Sequence, residues 1–554
     1  MNRRLLLLFL LACLMPESVR AQSKYRVAGK VVSQLDGHPL PHASLRLLSI
    51  PDRNLLQAIA SGPDGSFAFA DVASGKYELQ GDAPGFVLTR YDEHSGFSTA
   101  IVTGSSVAAD SLVFQLIPKA TLSGTVTDTS GEPVSPANVY LFRQAEDFGA
   151  GPIAPAGNTV TNDIGQYEFP AVAAGTYLLA VQAQPWYAAN FNPVEPSGTV
   201  GISGPTDPTL NVAYPVMYYP GVADPLQAST ITLRSGDTSA DLRLSSVPAI
   251  QLTFHNAVQI QRNPRDARVV STSMATPQLQ VDILGTRQYV PAPAQPVGAD
   301  VVLGGIAPGD YILSSNMNGR TMKSDRINIT HTTSAELPSD QNSVHLRLTL
   351  RLPDGSPVPQ GTRIALSPPQ DRAEAAGGST NAKGEADVTV SPGDYLLQVT
   401  SGGESPGPML VHQVLAGATA VQANPLRITS GRDSSSSPLA YTVVALPADI
   451  TVYGIAEKDG KPCPGAFILL VPADEVHNPV NWRTQQSDLD GSFDLTAVAP
   501  GNYLLFAIES GWQLKWREDA VLSRYVPAAA HIQIAVSATH SQRLEQPVAV
   551  QPKL

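Results

Sequence analysis

The stretch SDLDGSFDLTAVAPGNYLLFAI, Ser487 to Ile508, starts with two aspartates around a leucine and ahead of a glycine, as a calcium loop would. The same outline recurs as GPDGSFAFADVASGKYELQ from Gly62 and as TNDIGQYEFPAVAAGTYLLAV from Thr161. A Ser or Thr (Ser61, Thr161, Thr380, Ser487) stands four residues before a glycine (Gly65, Gly165, Gly384, Gly491). Alternating rings follow: Phe67 and Phe69, Tyr167 and Phe169, and Phe493 with Leu495; the fourth copy has Ala386 and Val388. Next comes Gly-x-Tyr, at Gly75/Tyr77, Gly175/Tyr177, Gly309/Tyr311, Gly393/Tyr395 and Gly501/Tyr503. Glycine takes positive φ at no steric cost, and the prolines before it (Pro308, Pro392, Pro500) suit a type II turn. Both glycines are therefore expected at positive φ, in a β-hairpin whose inward faces are aromatic and aliphatic.

The variable slots decide between metal and turn. Asp490 is matched by Asp64, Ile164 and Lys383, and Asp488 by Gly62, Asn162 and Asn381. Calcium takes about six to eight oxygens, which isoleucine and lysine cannot supply. Only the last copy pairs two aspartates, with Asp494 nearby. Polar residues capping a turn are the expectation, with no metal and no cofactor.

Each hairpin is preceded by a second recurrent text. GHPLPHASLRL from Gly37, GEPVSPANVYL from Gly131 and GKPCPGAFILL from Gly460 align without gaps, and GSPVPQGTRIAL from Gly355 fits with one extra residue. A third, weaker copy keeps VVLGGIAPGDYIL from Val301. Between copies run strands that end in proline: DSLVFQLIPKATLSGTV from Asp110, ADLRLSSVPAIQLTF from Ala240 and LAYTVVALPADITVYG from Leu439. Each closes one unit and leads straight into the next, so the linkers are short and a stiff rod of units is expected. GRDSSSSP from Gly431 reads as an exposed loop.

The rest of the chain bounds its class. MNRRLLLLFLLACLMPESVRAQS has a charged start, an apolar run over Leu5–Leu14 and a small-residue cleavage site at Val19-Arg20-Ala21, a secretory signal over 1–21. The run is shorter than the roughly 20 residues of a membrane span. The alternative takes Leu10-Leu11-Ala12-Cys13 as a lipoprotein box, with an unusually short apolar region. No later segment is apolar enough to span a bilayer. The 554 residues carry a net charge of −12, and losing Arg3, Arg4, Arg20 and Glu17 with the signal makes the chain more acidic. That balance argues against nucleic acid. Cleavage after Ala21 leaves Cys463 alone, so stability rests on hydrophobic cores and not on disulfides. With 47 prolines and 44 glycines, many short strands joined by turns are expected.

These residues resemble the carboxypeptidase regulatory-like domain, a transthyretin-like β-sandwich of about seven strands. The resemblance is carried by VAGKVVSQLDGHPLPHASLRL, LSGTVTDTSGEPVSPANVYL and TVYGIAEKDGKPCPGAFILL with their hairpins. VMYYPGVADPLQASTITLRSGDT is similar to secreted bacterial proteins built from such modules. The resemblance implies an all-β chain of about five tandem transthyretin-like or immunoglobulin-like sandwiches: 22–118, 119–248 with an insertion at 183–228, 249–342, 343–448, and 449–554 with a short C-terminal helix and tail. It transfers no catalytic residue, because the family's motif positions are turns and core. Related collagen-adhesin modules form Lys–Asn isopeptide bonds, and Lys30 is the lysine at the equivalent strand here.

Few residues are left for chemistry. None of the ten histidines begins an H-x-x-E zinc pattern. Gly403-Glu404-Ser405-Pro406-Gly407 matches a nucleophile elbow, but Pro406 forbids the helix that motif needs. Cys463 takes the slot of Leu40, Val134 and Val358 and is read as a small buried hydrophobe. Two aromatic clusters remain. The insertion holds Trp186, Tyr187, Phe191, Tyr214, Tyr218 and Tyr219 among prolines, either a ligand-binding surface or a cover for the sheet. Trp512 and Trp516, with Trp482, are read as a short helix docked on the last sandwich. The expected protein is non-catalytic and extracytoplasmic, whether periplasmic, outer-membrane-associated or secreted. Its role would be structural or adhesive, toward polysaccharide or an envelope or extracellular protein. The alternative is an accessory subunit positioning a separate peptidase or outer-membrane transporter.

Overall fold

A computed structural model describes residues 24–554 except 95, 145–152, 189–206, 256, 263–268, 275, 318–319, 336–343, 370–375, 404–405, 430–437, 476–480, 517 and 537–538. The segment expected to be a signal, Phe191, Glu404, Ser405 and the loop from Gly431 thus lie outside the described residues. What is described is nearly all strand, in tandem β-sandwiches.

The first unit sets the pattern. One sheet orders Ser66–Val72, Tyr25–Ser33 and Leu112–Leu116. The facing sheet orders Leu55–Ala60, Ser44–Ser49, Gly75–Asp82 and Thr89–Arg90. Alternating residues Val27, Leu45, Leu47, Phe69, Leu79 and Phe114 meet between the sheets, all fully buried. Comparable cores gather around Leu122 and Val181, around Leu252 and Leu303, around Leu348 and Val443, and around Val452 and Leu505.

The proline-terminated strands do close their units. Leu112–Leu116 pairs in parallel with Gly29–Ser33, and two residues later Lys119–Asp128 opens the next sheet. Leu242–Leu244 closes on Val126–Asp128 in the same sense. Leu439–Val444 does so on Leu346–Arg351, in a unit whose strands run as one continuous nine-stranded sheet.

Two expectations need correction. The tryptophans do not sit on the C-terminal helix. Trp512 lies in the 3-10 turn Gly511–Gln513, and the helix is Asp519–Tyr525. Both rings are nonetheless buried, Trp516 between Phe467 and Tyr525, and Trp482 joins the same cluster. The chain is also no open rod, because the first unit touches the fifth: Lys76 pairs with Asp488 at 2.5 Å, and His94 stacks on Trp512. Short linkers limit how far a unit swings but not in which direction, so complementary end surfaces are free to meet.

Candidate functional site

The recurrent residues form one device, repeated. In the turn, Gly65, Gly165, Gly384 and Gly491 have φ of 74–77°. A Cβ on Gly491 would lie 2.5 Å from the Ala456 carbonyl oxygen, and Gly65, Gly165 and Gly384 would each meet a first-strand carbonyl at 2.6 Å. The glycine carbonyl accepts from that same strand: Val31 N–H to Gly65, Val126 to Gly165, Leu350 to Gly384 and Ala456 to Gly491. The hydroxyl ahead of it is a latch. Ser487 Oγ donates to the Cys463 carbonyl and accepts from Ala466 N–H, as Ser61 does with Leu40 and Ala43 and Thr161 with Val134 and Ala137.

The second glycine works differently from the expectation. Gly75, Gly175, Gly309 and Gly393 are not at positive φ, and of the five only Gly501, at φ 156°, is. The ring of the tyrosine two residues on lies against each of them: a Cβ on Gly75 would be a tight 3.3 Å from the Tyr77 hydroxyl, and one on Gly309 or Gly393 would make ordinary contact at 3.6 or 3.5 Å. That path lets each hydroxyl donate to the carbonyl four residues back. Tyr77 reaches Ala73 at 3.0 Å, Tyr177 Ala173 at 2.7 Å, Tyr311 Ala307 at 2.6 Å, Tyr395 Ser391 at 3.0 Å and Tyr503 Ala499 at 2.8 Å.

The opening aspartates bind protein. Asp490 Oδ1 accepts from Ser492 N–H, and Asp494 from the Gln485 amide. Asp488 accepts from Lys76 and from Ala100 N–H. Lys30 is exposed, 3.8 Å from the exposed Asp64, not in the buried setting an isopeptide bond would use. Cys463 is half-buried against the fifth core, and burial raises its thiol, away from nucleophilic activation.

The insertion divides its aromatics. Tyr214 and Tyr218 are buried and cover the sheet, and Tyr219 packs half-buried on the second core. Burial raises the Tyr218 hydroxyl to about 12, and burial together with a hydrogen bond to Tyr187 raises that of Tyr214. Trp186 is 77% exposed, edge-on to Tyr187 with centroids 5.9 Å apart. Gln182, Gln184, Tyr214, Tyr218, Asp310 and Tyr311 line a cleft of about 190 Å³. Tyr140 donates to Gln182, whose amide donates to the Tyr289 carbonyl. The structure thus brings Tyr214 and Tyr218 to the cleft, with Tyr187 against Tyr214, Trp186 two residues along the chain from the wall at Gln184, and Tyr219 on the core. The cleft's far wall, Asp310 and Tyr311, comes from the next unit; the sequence marks Tyr311 as a Gly-x-Tyr tyrosine but not as part of a cleft.

Residues 121–212 match the carboxypeptidase regulatory-like domain family. No curated protein matches the chain. Among solved structures, the Bacillus anthracis TIE protein is 12% identical over 71% of this chain and 73% of its own, with a TM-score of 0.16. A streptococcal ancillary pilin is 12% identical over 55% of this chain and 100% of its own, TM-score 0.19. The minor pilin GBS52 of Streptococcus agalactiae is 10% identical over 40% of this chain and 97% of its own, TM-score 0.19.

Proposed function

We propose that this is a non-catalytic, multi-sandwich scaffold of the cell exterior, exported by the signal over 1–21 and built from the five sandwiches read from the sequence. Its role is structural and adhesive. The observation that carries this reading is the fate of the repeated hydroxyls. The five motif tyrosines all donate to a carbonyl four residues back, and the Ser and Thr latches are held by backbone. A hydroxyl so engaged is a brace and not a nucleophile.

The recognition surface in this reading is the cleft together with the exposed Trp186, two residues along the chain from its wall at Gln184. At about 190 Å³ it is smaller than the roughly 300–1,000 Å³ of pockets that engulf a ligand. It suits a single ring, with the rest of a polysaccharide lying on the exposed indole. Glutamine amides and a carboxylate beside tyrosines are the mixture that hydroxyl-rich rings use. The test is a glycan and peptidoglycan panel against the secreted chain and Trp186→Ala. A glycan held at least about tenfold more tightly by the unaltered chain supports the site, that ratio being 1.4 kcal/mol. Equal binding by both ends the case for it.

A further inference from the structure

The fifth hairpin turn departs from its siblings at two adjacent slots, and both face the first unit. Where the other copies have Gly62, Asn162 and Asn381, it has Asp488; where they have Pro63, Asp163 and Ala382, it has Leu489. Leu489 is 7% exposed and belongs to the core cluster of the first unit, about 400 residues away in sequence. Its N–H donates to the Ala100 carbonyl at 2.9 Å, and Ala100 N–H donates to Asp488 Oδ1 at 3.2 Å. The first unit departs in a matching way. The middle slot of Gly-x-Tyr holds Lys76, against Thr176, Asp310, Asp394 and Asn502, and Lys76 is the residue that meets Asp488.

Around this plug the contact is polar and aromatic. The Gln486 amide donates to the Asp92 carbonyl at 2.5 Å and to Thr99 Oγ1 at 2.8 Å. Trp512 packs on Phe97, centroids 5.4 Å apart, and on His94 at 5.9 Å. An apolar tip inside a ring of paired polar groups is how a specific interface is built. Selectivity is in the same slots: Asp310 or Asp394 in place of Lys76 would set carboxylate against Asp488.

We propose that the Asp488–Leu489 turn is a dedicated plug for the first sandwich, an intramolecular clasp that closes the chain end to end. Leu489 is buried at a slot that is exposed in the other three copies, and Lys76 is the one cation at its slot among the five; together they mark a recognition pair and not incidental packing. Its occupant is the same chain, because the clasp is made here within one molecule and two surfaces on one chain meet at high effective concentration.

Small-angle scattering of the full-length mature protein at several concentrations tests it. Two variants borrow sibling residues that those hairpins already tolerate: Asp488→Asn/Leu489→Ala on the plug, and Lys76→Thr on its receptor. Circular dichroism checks that both keep the β signal. The expected result is a compact, concentration-independent monomer that becomes a larger, still monomeric particle in both variants. Variants with the radius of gyration of the unaltered chain would overturn the clasp. A mass that doubles with concentration, and reverts in the variants, would overturn closure within one chain and assign the pair to neighbouring copies.

Discussion

Each copy of the turn asks three things of its residues: a positive φ, a carbonyl brought close, and a hydroxyl between two strands. Gly491 meets the first two, with φ 77° and no space for a Cβ before the Ala456 oxygen. Gly491→Ala is expected to destabilise the protein by more than about 1 kcal/mol, read as a lowered denaturation midpoint. Asp488 gives a second prediction. Burial raises its carboxyl above the ordinary 3.8, while Lys76, although burial opposes its charge, is raised by facing Asp488. Asp490 and Asp494 add negative charge at the same place. A raised carboxyl contributes stability that is present below its unfolded value and lost as the pH rises through its folded one. The stability of the unaltered protein relative to Asp488→Asn is therefore expected to rise as the pH falls from 7 toward 4. A relative stability that falls over that range would contradict the assignment. Glu93, held low by Arg90 against its burial, works in the opposite sense and is lost on acidification.

At the scale of elements, the hairpins and the closing strands were legible because local text determines them. Alternation fixes which face is buried, and Phe493, 1% exposed, sits where the pattern puts it. Phe493→Ala is expected to cost about 3–5 kcal/mol, against about half a unit for a surface change; chemical denaturation distinguishes them. The glycine of Gly-x-Tyr was misread for a physical reason. Pro-Gly text favours a type II turn, yet of the three glycines that follow a proline only Gly501 takes a positive φ, while Gly309 and Gly393 lie in extended backbone against a tyrosine ring. The Trp512–Trp516 spacing misled in the same way, since a 3-10 turn and a helix both bury rings a few residues apart.

Across the whole molecule the sequence is least informative, because contacts between units have no periodicity. Tyr311 was legible as a motif tyrosine, but its meeting with Tyr214 and Tyr218 across two units left no local trace. The clasp did leave one, in the departure of Lys76, Asp488 and Leu489 from their sibling slots, and repeat proteins can be searched for such mismatches. The central claim remains that the repeated text builds the fold. Thermal and denaturant unfolding of Tyr77→Phe, Tyr177→Phe, Tyr395→Phe and Tyr503→Phe, one hydroxyl removed at a time, tests it most directly. Each variant is expected to lose about 0.5–1.5 kcal/mol while any glycan binding by the chain is unchanged. Undiminished stability in all four, with binding or an activity abolished, would contradict it.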